Sequence, residues 1–155
     1  MKTRRTLVAA LVLLTTLGVW AQSSEAEGES IVVIVNKANP ASSLGANELR
    51  PIFQTTKMSW STGGEAAPFN LPSDSSLRQD FDRAVLGLDP DRVARYWQDR
   101  KIRGGARGPR VLPSPNAVLA AVAATTGAIG YLNASAANGT VKVVAKIVGG
   151  KLSAP

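Results

Sequence analysis

Ile31-Val32-Val33-Ile34-Val35 limits the fold more than any other stretch, because five consecutive β-branched residues run without a polar position between them. Branching at Cβ stiffens χ1 and favours extended backbone, so the run predicts one strand. A strand with one wet face alternates apolar and polar residues. An unbroken apolar run instead suits a central strand covered on both faces, which requires helices above and below a sheet. An α/β layer arrangement follows.

Helix signals recur downstream. Leu44 and Leu49 have the spacing of a hydrophobic staple around a Gly45 cap, with Glu48 in reach of that cap and Leu49, Ile52 and Phe53 as a buried face. Pro51 argues for a short or kinked helix, or for a start displaced toward it. Leu77, Phe81, Ala84, Val85 and Leu88 recur at helical spacing, which puts Arg78 and Asp82 toward the polar side and Gly87 near the end. Asp89-Pro90-Asp91 and Ser114-Pro115-Asn116 are cap-plus-proline starts. Val93, Tyr96 and Trp97 then face inward in the first of these helices, and Gly127 is the stop for the second. Strands are predicted at Ala66 to Phe69, Ala128 to Leu132 and, after the Asn138-Gly139 turn, Val141 to Ile147. Trp60, before the Gly63-Gly64 pair, reads as a packing anchor.

Lys2, Arg4 and Arg5 precede an apolar run from Leu7 to Trp20, the pattern of a secretory signal peptide over residues 1–21. Arg4-Arg5 leaves Sec and twin-arginine export both open. Residues 22–30, with three glutamates and no large apolar side chain, read as a disordered spacer; 31–148 form one domain and 149–155 a loose tail. The expected location is periplasmic or secreted, with the product soluble and no membrane insertion after signal removal. The signal holds three of the 18 basic residues, so 15 remain against 11 acidic ones, a net of +4. That modest excess favours anionic partners without choosing among them.

There is no histidine and no cysteine. Histidine general acid/base chemistry, Ser-His-Asp triads, thiol nucleophiles, disulfides and nearly all zinc sites are thereby removed. The acids are scattered, and Lys37, Lys57 and Lys101 read as solvated surface charges. No enzyme activity, cofactor or metal is expected.

Ser73-Asp74-Ser75-Ser76-Leu77-Arg78 lies at a helix start, where unpaired N–H groups, hydroxyls and a guanidinium can together hold an anion. The same residues also serve as ordinary N-caps, with Arg78 solvated. Arg100 to Arg110 is the densest basic segment, with RGG and RG steps. It has no interleaved aromatic residue and lies between two helices, so no nucleic-acid partner is expected, and it reads equally as a solvated basic loop or as a basic loop near an anion site.

Several pieces stand in a familiar order: Val33-Ile34-Val35-Asn36-Lys37-Ala38-Asn39-Pro40, Glu48-Leu49-Arg50-Pro51-Ile52-Phe53, Trp60 with Gly63-Gly64, the serine-rich helix start, Tyr96-Trp97, and Gly127-Ala128-Ile129-Gly130-Tyr131. With them the chain resembles the phosphate-binding proteins of ABC importers over most of residues 31 to 147. The resemblance implies a single-lobe, type 2 periplasmic-binding-protein-like domain, a mixed sheet flanked by helices. It also implies a phosphate or similar oxyanion at that helix start, held by Ser75 and Ser76, with importer membrane subunits or a second protein lobe as partners; from the residues themselves, Ser73 would cap the helix or join them and Arg78 would supply the charge. Where the family has Ser-Gly-Thr, this sequence reads Ser75-Ser76-Leu77, and Asn70 or Leu71 stands where the family has its arginine. The competing expectation is an extracytoplasmic interaction or scaffold module that has lost ligand binding.

Overall fold

The structure is a computed structural model and describes residues 29–155. The expected signal peptide and most of the spacer lie outside the described residues. Six strands form one sheet in the order β3-β2-β4-β1-β5-β6, with β1 at Ile31–Asn36, β2 at Ala67–Asn70, β3 at Arg110–Val111, β4 at Ala128–Asn133, β5 at Val141–Val148 and β6 at Lys151–Ser153. Every residue of β1 is buried, as its apolar run requires. It runs antiparallel to both neighbours, β4 and β5, whereas β2 is parallel to β3 and β4. Strands β2 to β5 therefore point one way and the central strand points the other.

The described residues form four α-helices, α1 (Ala46–Phe53), α2 (Ser76–Phe81), α3 (Pro90–Ile102) and α4 (Pro115–Ala124), of which α1, α2 and α4 cover the sheet. Successive residues of a strand face opposite sides. On β4 this separates Gly130, which lies under Val118 of α4, from Tyr131, whose ring meets Phe53 of α1 and Phe81 of α2. The sheet is thus sandwiched between α4 and the α1–α2 pair, and Asn36 ties one layer to it. Its Nδ2 donates to the carbonyls of Val122 and Ala123, at 2.9 and 2.8 Å, which the end of α4 would otherwise leave unpaired.

Most local signals act as the sequence suggests. Gly45 N–H donates to Glu48 Oε2 at 2.8 Å, and Leu44 and Leu49 are both buried beside that cap. Helix α1 is short, eight residues, and contains Pro51 without any displacement of its start. Ser75, Asp89 and Ser114 each accept from the backbone N–H three residues on. Trp60 is buried, its Nε1 donating to the Gly127 carbonyl at 3.1 Å.

Five expectations change. Arg78 and Asp82 are not on a wet face: both are buried, at 6 and 4% exposure. They form an ion pair of 2.6 Å, and neutralising each other is what lets two charges enter the interior. Helix α2 also does not run on as one α-helix; residues Asp82–Leu86 form a π-helical turn that ends at Gly87 in the left-handed region. On α3 only Val93 is buried, while Tyr96 and Trp97 are half-buried, because α3 lies at the periphery and is met by a loop rather than by the sheet. Gly127 lies beyond the end of α4 and marks a close approach instead, since a Cβ there would lie 2.0 Å from the Glu65 carbonyl oxygen. Finally, within the expected loose tail, Lys151–Ser153 pair with β5 as strand β6. Gly149 and Gly150, at φ 55 and 74°, supply the two left-handed positions of a tight hairpin turn.

Candidate functional site

In a sheet of parallel strands, ligands meet the carboxyl ends, where connections leave for opposite sides. Here those ends are Asn70 of β2, Val111 of β3 and Asn133 of β4. The loop after β2 leads into α2, and the long return from α3 passes over the end of β3. Between them lies a cavity of about 570 Å3 lined by Asn70, Arg78, Trp97, Lys101, Arg107 and Val111 together with the loop backbone 105–109. No acidic residue is among its lining residues.

Asn70 is 4% exposed, and its carboxamide is held in one orientation. Its Oδ1 accepts from the Tyr131 hydroxyl and from Leu71 N–H, the latter at 3.0 Å. The amide NH2 group of Asn70 is therefore the part left over, and it enters no hydrogen bond among the described residues. Arg78 is fixed in the same manner: Nε donates to Asp82 at 2.6 Å and Nη1 to the Leu71 carbonyl at 2.9 Å. Burial pushes the Asp82 carboxyl above its ordinary range, and the Arg78 charge and hydrogen bond oppose that rise. The pair is thus a desolvated one in which Arg78 has little excess charge to offer.

The unpaired charge comes from elsewhere. Lys101, on the last turn of α3, and Arg107, on the loop that follows, are exposed and form no ion pair among the described residues. The loop is pinned to α3: a Cβ on Gly108 would touch the Trp97 indole at 3.4 Å, and one on Gly105 would lie 3.2 Å from the Arg100 carbonyl. Arg100 in turn sits 5.6 Å from the Trp97 ring centre and donates to Tyr96 Oη at 3.0 Å and to the Gln54 carbonyl at the end of α1. The glycines of the basic segment let its backbone lie flat on the aromatic face and bring Arg107 to the cavity.

Of the sequence-derived candidates, Arg78 lines the cavity whereas Ser73, Ser75 and Ser76 do not. Ser75 Oγ accepts from Arg78 N–H at 3.4 Å as the cap of α2, the Ser73 carbonyl accepts from Gln79 Nε2 at 3.2 Å, and the Ser73 and Ser76 side chains are exposed. Asn70, Lys101 and Arg107 are lining residues that the sequence did not mark as ligands. The one signal for Asn70 was that it or Leu71 stands where the family has its arginine; for Lys101 and Arg107 it was their place in a basic segment that could equally border an anion site. Among the described residues no group of three or more acidic side chains converges as a metal site. No helix among them is long and apolar enough to cross a membrane.

Solved structures share this architecture. An ABC-type phosphate transport receptor from Vibrio cholerae superposes with a TM-score of 0.60 at 18% identity, covering 74% of this chain and 45% of that one. A putative phosphate ABC transporter substrate-binding protein from Clostridium perfringens, with bound phosphate, gives 0.61 at 19%, covering 76 and 46%. PstS from Borrelia burgdorferi gives 0.59 at 15%, covering 74 and 46%. The chain thus spans less than half the length of these structures and corresponds to one lobe of their α/β fold. No curated protein matches it. The PBP superfamily domain matches residues 28–154, and the chain belongs to that superfamily.

Proposed function

We propose that the protein is an exported binding protein that holds phosphate or a similar oxyanion, in connection with ABC-type phosphate uptake. The observation that carries this reading is the cavity at the carboxyl ends of β2 and β3, bordered by Asn70, Arg78, Lys101 and Arg107 with no carboxylate among its lining residues. Lys101 and Arg107 supply net charge, the Asn70 amide donates a hydrogen bond, and Arg78, oriented by Asp82, forms the floor. Ser73, Ser75 and Ser76 stand outside the cavity lining, at the start of α2, and Ser75 serves the site only by capping the helix that carries Arg78. Because the lobe is open, water and salt screen these contacts, and binding is weak and salt-sensitive. Titration calorimetry with orthophosphate at low and high salt tests this: heat that falls with salt and is diminished by Lys101→Ala supports it. Absence of both heat and thermal shift at millimolar phosphate rejects it.

A second reading, an interaction module without ligand, is favoured by one fact: Ser75 Oγ and two of the Arg78 nitrogens are already engaged within the lobe. Capture of a stable partner that survives Ser75→Ala and Lys101→Ala, from a protein that gives no phosphate heat, distinguishes it.

A further inference from the structure

The size and the second wall of the cavity point beyond a bare inorganic anion. Orthophosphate has five heavy atoms and displaces on the order of a few waters, each with roughly 30 Å3 of liquid volume. The cavity, at about 570 Å3, is several times larger and falls in the range of sites for organic ligands. Its donors are not spread around it evenly in kind: beside Asn70, Arg78, Lys101 and Arg107 stand Trp97, Ala106, Pro109 and Val111, all apolar.

Two of these apolar groups call for a partner. Val111 ends the outermost strand β3 and is 55% exposed, one of few large apolar side chains left in water among the described residues. Trp97 lies against Gly108 and has the Arg100 guanidinium 5.6 Å from its ring centre, so the wall it contributes is already packed in the free protein. A preformed apolar wall needs little ordering on binding, which favours a ligand with a matching surface. Free phosphate would leave that wall wet.

We infer that the cavity takes an organic phosphate monoester, its phosphoryl group at Asn70, Lys101 and Arg107 and its apolar body along Val111, Pro109 and Trp97. This rests on the oxyanion reading given above and assigns that site its ligand class.

The test compares orthophosphate, phenyl phosphate and phenol by titration calorimetry on the full protein, with Lys101→Ala and Val111→Ser as variants. Both substitutions fall on exposed side chains, and circular dichroism checks that each variant is folded. Phenyl phosphate is expected to bind at least about tenfold tighter than orthophosphate, with phenol silent. Val111→Ser removes most of that advantage, read as the ratio of the two phosphate affinities, and Lys101→Ala weakens both phosphates together. Equal affinity for the two phosphates overturns the ligand class and leaves the oxyanion reading standing. A preference for phenyl phosphate that Val111→Ser leaves intact also overturns it, because the apolar contact is then elsewhere. Failure of both phosphates to bind overturns this inference and the oxyanion reading together.

Discussion

The ring of Phe81 lies parallel to that of Tyr131, with 3.8 Å between centroids and 4° between planes. This contact docks α2 onto β4, and the Tyr131 hydroxyl reaches on to the Asn70 carboxamide. Through Tyr131 the stack thus links α2, which carries Arg78, to Asn70 at the end of β2, and both of these residues line the cavity. Phe81 is fully buried, and Phe81→Ala is expected to cost about 3–5 kcal/mol, read from urea unfolding.

The same tyrosine makes the fold sensitive to alkali. Burial pushes the Tyr131 phenol above its ordinary value of 10.0, against the opposing pull of Arg78. A raised folded-state value means that the unfolded chain ionises first. The stability Tyr131 contributes is thus complete below pH 10 and is lost as pH climbs above it. Tyr131→Phe is expected to flatten the fall of stability above pH 10 by up to about 1.4 kcal/mol per pH unit, measured by unfolding at a series of pH values.

Removing Arg78 leaves Asp82 buried without its partner. Arg78→Ala is expected to cost about 3–5 kcal/mol at neutral pH. Asp82 already has a raised carboxyl, and losing Arg78 raises it further. Its stability contribution is therefore present below 3.8 and lost as pH rises through the raised value, so the deficit of the variant shrinks in acid. Asp82→Asn tests the other side of the pair. It leaves the guanidinium uncompensated on the cavity floor and is expected to tighten orthophosphate binding several-fold, at a cost in thermal stability.

Gly127 and Gly130 separate two kinds of crowding. An added Cβ at Gly127 meets the Glu65 carbonyl oxygen at 2.0 Å, whereas at Gly130 it meets Val118 Cγ1 at 2.5 Å. Backbone yields less readily than a side chain, so Gly127→Ala is expected to be the more damaging. Overpacking of this sort costs about 1–3 kcal/mol, and paired thermal unfolding curves give the order. Equal effects of the two substitutions would falsify the assignment of Gly127 to a backbone contact.

Thr55 follows α1 at φ 53°, a left-handed position that suits glycine, and its buried Oγ1 has no hydrogen-bond partner. Both features oppose stability. Thr55→Gly relieves them together and is expected to raise stability by about 1 kcal/mol, seen as a higher Tm.

The layers of this fold were legible because they rest on local signals. The apolar run of β1, the caps at Ser75, Asp89 and Ser114, and the staple around Gly45 each act within a few residues. Strand β3 was not legible, since two residues, Arg110 and Val111, carry no periodicity. The burial of Arg78 and Asp82 was hidden for a related reason: an i,i+4 pair has the same spacing on a wet face as on a dry one. Arg78 stood out as a candidate, whereas Lys101 read as solvated charge and Arg107 only as part of a basic segment. That Arg107 lines the same cavity as Asn70 goes with Gly108 lying against Trp97, a contact between a loop and a helix face that no local pattern encodes.

The central position of β1 carries a cost in the order of assembly. Ile31 pairs with Asn133 on one side and Ile147 on the other, so the first strand of the sheet finds its neighbours only near the far end of the chain. Such distant pairing closes large loops and slows folding. Until β5 is in place, Ile31 to Val35 presents a bare, uncharged, β-branched edge of the kind that seeds intermolecular sheets. A chain cut short before Val141 would keep that edge permanently, and its fate would be aggregation rather than a smaller version of the lobe.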